Sequence, residues 1–382
     1  MKKIYWRPRA VSRTALVLIA VTALAGLVIV EQFKVIDDRP FFDEKLQASE
    51  LASRAFDVIY DARLATGPPI DLETDPAQSG LIGLAMSPVT SISGNLAAKQ
   101  ASADPNFAAV ILEMLKRLDV GKGDVVAVGC SGSFPSLNMC VYAALETLEA
   151  KPLVITSAAA SQWGANVPDL LWLDMERILV DQGVFKTKSV AVSIGGYEDR
   201  GLGLSDEGLK LLKIGIQRSN VEHVIEPITF EDSIVKRMDL YEKLSGRRTI
   251  KAYINIGGNM VSTGRRAGKR MFHPGVNRHA PGRVHQTDGV MPRFANRGVP
   301  IVHLVQIVAL SERYGLYKIE GGVTPPGEGA IYRGIAYNNG LVLATLLFIL
   351  ASLYGFIRSD IGFRLLRVKT TKTTEHHPEP MV

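Results

Sequence analysis

The segment Gly129-Cys130-Ser131-Gly132-Ser133 has residue types and a spacing that could support nucleophilic chemistry. It matches four of the five positions of the Gly-x-Ser-x-Gly nucleophile elbow, with Ser133 in place of the final glycine. In that motif a sharp strand-to-helix turn exposes the serine at a helix N-terminus, where backbone N–H groups hold an oxyanion. Ser131 is therefore the first candidate nucleophile, and Ser133 is the second.

The same loop has a second interpretation, as a non-catalytic cradle for an anion. Phe134-Pro135 delays the helix and makes the loop longer than a true elbow. A glycine-serine turn before a helix can bind a carboxylate through backbone N–H groups without attacking it. Short motifs of this kind often match by chance. The residues leave both interpretations open, and the cradle is the one we favour at this point.

A nucleophilic serine needs a base, and the sequence offers two kinds. Three histidines lie in the segment Ser262–Gly298, namely His273, His279 and His285. Asp288 is the only acid in that segment and could orient His279 or His285 as a base. Lys99, in a serine-rich loop, could act instead in a Ser/Lys arrangement. The histidine spacing has neither an i,i+4 register nor an adjacent glutamate, so we expect no metal and no other cofactor.

Ser262–Gly298 is also the most basic part of the chain. Eight lysines and arginines against one acid give it a net charge of +7. They are Arg265, Arg266, Lys269, Arg270, Arg278, Arg283, Arg293 and Arg297. The planar arginine fork favours bidentate binding of carboxylate or phosphate, and a solvated loop is the alternative. We expect an anionic ligand to bind to the first six of these residues.

Short apolar strands alternate with amphipathic helices from residue 105 onward. Strands are predicted at Val125–Val128, Leu153–Thr156, Ser189–Ile194, Thr249–Ile256 and Ile301–Val305. Helices are predicted at Phe41–Ala65, Asp104–Leu118, Ser136–Glu149, Asp169–Asp181, Asp206–Ser219 and Phe230–Leu244. Apolar strands without alternation indicate a parallel sheet covered on both faces. The predicted fold class is α/β, with a doubly wound, mostly parallel sheet.

Four of the predicted strands end in small or polar residues. In open parallel sheets, ligands bind beyond the carboxyl ends of the strands. The four loops are Gly129–Ser133, Ser157–Ser161, Gly195–Arg200 and Gly257–Asn259. We therefore predict a ligand-binding cleft at this edge, formed by Gly129, Gly132, Gly195, Gly196, Gly257, Gly258 and Asn259.

Two uncharged apolar runs, Ala15–Val30 and Gly340–Ile357, each have about the length that crosses a bilayer. Basic residues flank both runs on their terminal sides, which predicts cytoplasmic termini by the positive-inside rule. A cleaved signal peptide is the alternative for the first run. The predicted organisation is a cytoplasmic N-terminus at 1–10, membrane helices at 11–32 and 338–357, a juxtamembrane helix and loop at 33–104, an extracytoplasmic α/β domain at 105–335 and a cytoplasmic basic tail at 358–382.

The formal net charge of +6 is concentrated at the two ends of the chain. The ends before residue 31 and after residue 339 hold ten basic and three acidic residues, which leaves 34 basic and 35 acidic residues between them. The high isoelectric point is thus explained by membrane topology, and it does not indicate nucleic acid as a partner. The two cysteines, Cys130 and Cys140, are read as small buried thiols, although the predicted compartment permits a disulfide.

Three motifs, together with the paired apolar runs, resemble the poly-gamma-glutamate system protein family. They are GCSGSFPSLN, SQWGANVPDLLWLDME and INIGGNMVSTG, and the resemblance covers nearly the whole chain. It implies a two-pass protein of the plasma (inner) membrane that acts with other subunits of a polymer synthesis and export complex in capsule formation. It also implies a ligand of repeated carboxylates, which the basic segment would suit. No catalytic residues follow from the resemblance.

Two functions from different classes remain open on the sequence. One is a non-catalytic subunit whose external domain binds poly-gamma-glutamate or a similar polycarboxylate. The alternative is a serine-type hydrolase or transferase that acts on the amide bonds of the polymer. The chain has no Walker motif, and an external domain has no ready ATP, which argues against a ligase.

Overall fold

The computed structural model describes residues 13–246, 248–316 and 324–359. The strands are β1 (Val35–Asp38), β2 (Thr90–Ile92), β3 (Val125–Ser131), β4 (Lys151–Ser157), β5 (Ala160–Ser161), β6 (Asn166–Val167), β7 (Leu170–Leu171), β8 (Ser189–Ser193), β9 (His223–Ile225), β10 (Ile250–Ile256), β11 (Gly275–Asn277), β12 (Ile301–Leu304) and β13 (Arg333–Ala336).

The α-helices are α1 (Arg13–Gln32), α2 (Phe42–Thr66), α3 (Leu96–Ser102), α4 (Phe107–Lys116), α5 (Pro135–Thr147), α6 (Trp172–Asp181), α7 (Asp206–Ser219), α8 (Phe230–Ser245), α9 (Met260–Thr263), α10 (Arg265–Met271), α11 (Val290–Asn296), α12 (Ile307–Tyr314) and α13 (Asn339–Ser359). A short 3₁₀ helix covers Val284–Gln286. These elements form two compact units, one at Asp38–Arg333 and one from the described parts of Met1–Asp37 and Gly334–Val382.

The terminal unit contains the helices that form from the two apolar runs of the sequence. α1 contacts α13 at Gly26, where an added Cβ would lie 2.5 Å from Cγ2 of Thr345. β1 and β13 pair as a two-stranded sheet. By length and hydropathy, none of the helices within the described residues qualifies as a membrane span. The predicted N-terminal segment at 1–10 and all but the first two residues of the predicted tail at 358–382 lie outside the described residues.

The larger unit is organised around a seven-stranded sheet with the order β11-β12-β10-β3-β4-β8-β9. Neighbouring strands are parallel from β12 through β9, and β11 pairs antiparallel with β12 at one edge. The prediction of an α/β fold with a mostly parallel sheet is therefore confirmed. The β9 strand was not predicted, because three residues of mixed polarity carry too little pattern.

Successive residues of the central strands point to opposite faces of the sheet, as the strand period of two requires. In β3, Val126 and Val128 pack into the cluster that includes α2, α4 and α5, whereas Val125 and Ala127 pack into the cluster that includes α8 and α11. From β3 the chain proceeds outward through β4, β8 and β9, and then returns to β10 on the other side of β3. The carboxyl edge between β3 and β10 is thus the topological switch point, where ligands bind in folds of this type.

The α2 helix belongs to this unit. Ala52 and Ile59 on α2 are fully buried in the same cluster as β3, and the helix packs against α4 and α5. The buried Lys45 donates to Glu113 Oε2 on α4 at 2.7 Å and to the carbonyl of Ile331 at 3.1 Å. The compact unit consequently begins at Asp38, whereas the sequence placed the start of the α/β domain at residue 105. The apolar stripe of α2 was visible in the sequence, but its packing partner was not.

Candidate functional site

The four loops predicted to form a cleft follow β10, β3, β4 and β8, which are consecutive neighbours in the sheet. Ser131 of β3 is in register with Ser157 of β4, and Ser157 is in register with Ser193 of β8. Because parallel strands end at the same edge, the three serines form a row across it. The polar groups at this edge bond to one another and hold the loops in place.

The loop after β8 is held by a buried ion pair. Asp199 and Arg237 lie at 2.9 Å, with side chains that are 1% and 4% exposed. Arg237 Nη2 also donates to Ser193 Oγ at 2.6 Å, and Ser157 and Ser193 donate to Asp199 Oδ1. The two charges neutralise each other, and the serine hydroxyls bond to both, while Arg237 Nε has no partner among the described residues. Asp199 therefore ties the Gly195–Arg200 loop to β4, β8 and α8.

Two glycines shape that loop. Gly195 and Gly196 have φ angles of +80° and +76°, a region that favours glycine. A Cβ on Gly195 would lie 3.1 Å from Cβ of Ala159 and of Ser157. The turn and its packing are thus sufficient to explain why glycine occupies both positions, and their predicted role in ligand binding stays a prediction.

The loop after β10 is held by Asn255 and His303. Asn255 Nδ2 donates to the carbonyl of Gly257 at 2.7 Å and lies 2.9 Å from Nδ1 of His303. Burial, and then the charge of Lys269, lower the pKa of His303 to about 4, so its ring is neutral and Nδ1 can accept this bond. Asn259 caps α9 by accepting from the N–H of Val261 and donates Nδ2 to Ser157 Oγ at 2.9 Å.

In the elbow-like loop, Ser131 is only 8% exposed, and its Oγ accepts a long hydrogen bond of 3.3 Å from the N–H of Ser133. Ser133 Oγ accepts from the N–H of Ser161 at 3.1 Å. A Cβ on Gly132 would lie 3.0 Å from Cβ of Ala160, because the loop after β4 packs directly over it. Gly132 therefore permits the close approach of two loops of the same chain.

Lys99 is the buried cation of this edge. It is 2% exposed, and its Nζ donates to Ser161 Oγ at 2.9 Å and to the carbonyl of Ser133. The amino group lies 4.0 Å from the centroid of the Phe134 ring. No carboxylate in the described part of the chain is within ion-pair distance of it. Burial lowers the pKa of Lys99 to about 7.

The sequence identified Lys99 as a possible base but left its partner open. The structure places it against Ser161, which the sequence named only as the last residue of a loop. The separation of 62 residues between the two explains why no motif could reveal the pair.

The histidines and Asp288 are arranged differently from the predicted triad. His279 and His285 are exposed, and neither forms a hydrogen bond with Ser131, Ser133 or Asp288 among the described residues. Asp288 instead accepts from Arg293 Nε and Nη2 at 2.7 and 2.8 Å. The Arg293 guanidinium holds the pKa of Asp288 below its usual value. Ser131 and Ser133 therefore form no Ser-His-Asp arrangement with His279, His285 and Asp288, which all lie in the described part of the chain.

Half of the basic segment is engaged by the chain itself. Arg293 binds Asp288, Arg297 binds Glu242, and Arg265 lies 3.6 Å from Glu198 and 3.8 Å from Glu231. Arg278 donates to the carbonyl of Arg117. The other four basic side chains form neither an ion pair nor a side-chain hydrogen bond with the described residues, namely Arg266, Lys269, Arg270 and Arg283.

Three of these four unpaired cations lie on α10. Arg266, Lys269 and Arg270 have i, i+3 and i+4 spacing, so they share one face of the helix. All three are exposed. A Cβ on Gly258 would lie 3.0 Å from Lys269 Nζ, which places this ammonium over the loop after β10. We call Arg266, Lys269 and Arg270 the α10 cation row.

Comparisons with protein-family models, with curated proteins and with solved structures found no match to this chain. The resemblance read from the sequence motifs therefore stays a prediction, and the site geometry carries the functional argument.

The low pKa of Lys99 predicts a pH-dependent stability. Between pH 7 and about 10.4, the unfolded chain protonates this lysine and the folded chain does not, so the free energy of unfolding rises with pH. Chemical denaturation from pH 6 to 10 should show this rise in the wild type and lose it in Lys99→Met. The exposed Lys210→Met is the matched control and should keep the wild-type profile. Parallel profiles for all three proteins would show that Lys99 titrates normally.

Proposed function

We propose that this chain is a membrane-anchored component of a poly-gamma-glutamate synthesis and export system, and that its α/β unit binds the polymer or a similar polycarboxylate. The observation that carries the proposal is the α10 cation row, which lies beside the loop after β10 at the switch point of the sheet. The motif resemblance described above names the polymer.

The chemistry of the row suits a chain of carboxylates. The Cβ atoms of residues at i,i+3 and at i,i+4 of a helix are about 5–6 Å apart, so the row presents a group of three cations and not a single charge. Each γ-linked glutamyl unit carries one α-carboxylate, and several such groups could bind the row at once. Arginine binds carboxylate in a bidentate fork, whereas Lys269 contributes a point charge. Several weak contacts on one polymer raise its apparent affinity through effective concentration.

The chain's own carboxylates support this assignment. Wherever Glu198, Glu231, Glu242 or Asp288 reaches the basic segment, an arginine binds it. The same arginine–carboxylate pairing is therefore already used four times around the row. The α10 cation row has no such partner among the described residues, and a carboxylate from outside the chain would supply one.

We also propose that α1 and α13 anchor the protein in the plasma membrane, with both termini in the cytoplasm and the unit at 38–333 outside it. The apolar runs and their basic flanks support this topology. The larger unit is compatible with two adjacent anchors, because its first and last residues meet: Arg333 Nε donates to Asp38 Oδ1 at 2.9 Å. Other subunits of the complex would be partners within the membrane.

Polymer binding should depend on the α10 cation row and on salt. In the full chain, replacing Arg266, Lys269 and Arg270 with Gln should weaken binding of poly-gamma-glutamate about tenfold, since each exposed charge pair contributes roughly 0.2–1 kcal/mol. Wild-type affinity should fall steeply between 0.1 and 1 M salt, because the screening length drops from about 10 to about 3 Å. Fluorescence anisotropy with labelled polymer measures both effects.

The matched control removes the same charge from other elements. Lys186, Lys210 and Lys213 are exposed on α7 and on the loop before β8, and their triple replacement with Gln should leave binding unchanged. Equal losses in both triple variants would reduce the effect to overall charge and contradict a site on α10. Competition by polyphosphate at equal charge tests whether the row prefers carboxylate, and preference for polyphosphate would reject the polymer assignment.

The topology predicts where a reporter can work. A reporter that is active only in the cytoplasm should work at either terminus and fail when inserted after Gly183, an exposed turn with open space around it. An extracytoplasmic reporter should give the opposite pattern. Cytoplasmic activity from the Gly183 insertion would place the α/β unit inside the cell and overturn the topology.

A further inference from the structure

The binding proposal leaves Lys99 and Ser161 without a role. Both lie within the carboxyl edge of the sheet, and they are 2% and 6% exposed. Their functional atoms meet at 2.9 Å, which is within the range of a hydrogen bond between a nucleophile and its base. Burying a charged lysine amino group without a carboxylate costs free energy. A neutral side chain could make the same hydrogen bonds between loops at a lower cost. The arrangement therefore calls for a chemical explanation.

The surroundings of Lys99 can accommodate a neutral amine. The carbonyl of Ser133 accepts one N–H, and the face of Phe134 covers the amino group at 4.0 Å. In the structure the amino group donates to Ser161 Oγ, and the hydroxyl makes only a long contact of 3.5 Å with the carbonyl of Gln162. In the neutral amine this direction can reverse, because the lone pair on Nζ can accept the Ser161 hydroxyl proton. The groups that face Nζ are this carbonyl, this ring and the Ser161 hydroxyl. No ionised side chain of the described residues contributes to its pKa, which burial alone lowers to about 7.

The segment that carries Ser161 shows strain and an unsatisfied donor. Trp163, two residues on, has φ +57°, which is rare for a bulky residue. Its indole N–H is buried and has no acceptor among the described residues. Backbone outliers of this kind cluster at active sites and switch regions, which is compatible with a functional role for this segment.

The pair is also connected to the α10 cation row. Phe134, which covers Lys99, would lie 3.2 Å from a Cβ on Gly257. The next residue, Gly258, lies under the Lys269 ammonium. A polymer bound on the row would therefore be separated from the Lys99–Ser161 pair by the Gly257-Gly258 turn and one aromatic ring.

We propose that Ser161 and Lys99 are the nucleophile and the general base of a serine-type hydrolase or transferase that acts on the amide bonds of the bound polymer. This inference rests on the proposed polymer binding for its substrate, and on the geometry of the pair for its chemistry. It replaces the elbow serine with a residue whose hydroxyl contacts a base, since Ser131 Oγ contacts only the backbone N–H of Ser133 among the described residues.

The reaction balances with water or an amine as the second substrate. Ser161 Oγ attacks the amide carbonyl carbon while its proton passes to neutral Lys99. The C–N bond breaks, the leaving nitrogen takes the proton from Lys99, and an ester to Ser161 remains. Water then attacks the ester, with Lys99 again accepting and returning a proton, and a carboxylate is released. An amine in place of water would give transfer to a new chain.

The test measures new amino groups and polymer length after incubation of the full-length protein, in detergent micelles, with poly-gamma-glutamate. Ser161→Ala and Lys99→Met should each lower the rate by about 10³-fold or more, because the two residues act as a unit. The wild-type rate should rise with pH up to about 7 and then level off, since only the neutral amine is active. Ser131→Ala distinguishes Ser161 from Ser131 as the nucleophile, because this variant would be inactive only if Ser131 reacted.

Peptide mapping after treatment with a small fluorophosphonate gives a readout that does not depend on the polymer. Labelling of Ser161 in the wild type that is lost in Lys99→Met would support the pair as nucleophile and base. The same labelling result with a polymer that stays uncleaved would support the pair and reject the polymer as its substrate. Polymer that binds the α10 cation row but is neither cleaved nor extended, together with an unlabelled Ser161, would overturn the inference and leave the binding proposal standing. Full activity in a folded Lys99→Met protein, checked by its thermal midpoint, would also overturn it.

Discussion

Four parallel strands that end side by side at one edge impose the constraint on which the rest of this structure depends. Parallel ladders bring Ser131, Ser157 and Ser193 into register, so the turns that follow them must pack against one another. Small residues make this possible, as at Gly132 under Ala160. The polar groups crowded at this edge must then find partners within the protein, because burial without hydrogen bonds is costly.

The charged groups at this edge differ in whether the chain supplies a counter-charge, and those without one are the basis of the two proposals. Asp199 and Arg237 neutralise each other, and the hydroxyls of Ser193 and Ser233 donate to Asp199. This cluster stabilises the loop after β8. Lys99 forms no ion pair with a carboxylate of the residues that the structure describes, and burial lowers its pKa to about 7. On the surface beside it, the α10 cation row likewise has no anion among the described residues. The proposed carboxylate-binding surface and the proposed nucleophile thus lie on either side of the Gly257-Gly258 turn.

The fold was largely predictable because each main element carries a local signal. The predicted strands and helices of the sheet lie within three residues of those observed, and α7 is identical at Asp206–Ser219. The observed start of α8 has a local cause, since Thr229 Oγ1 accepts from the N–H of Asp232 at 3.1 Å. The compact unit begins at Asp38 and not at residue 105, where the sequence placed the α/β domain, because nothing local shows that α2 packs on α4 and α5. The short β9 strand has too few residues to show a period.

The site was predictable only in outline, because its contacts join residues far apart in the chain. The meeting of the glycine-rich loops at one edge follows from the prediction that the strands are parallel. The pairing of Lys99 with Ser161, or of Asp288 with Arg293, depends on how loops pack over that edge. Net charge identified the basic segment, but the sequence could not show which of its cations the chain's own carboxylates bind.

The most direct measurement is a crystal structure of the full chain with a γ-linked glutamate oligomer. We expect carboxylates of the oligomer within hydrogen-bond distance of the α10 cation row. We also expect one of its amide carbonyl groups on the Phe134 side of the Gly257-Gly258 turn, next to Ser161. An oligomer bound elsewhere on the unit, with Arg266, Lys269 and Arg270 in solvent, would contradict the proposed binding site.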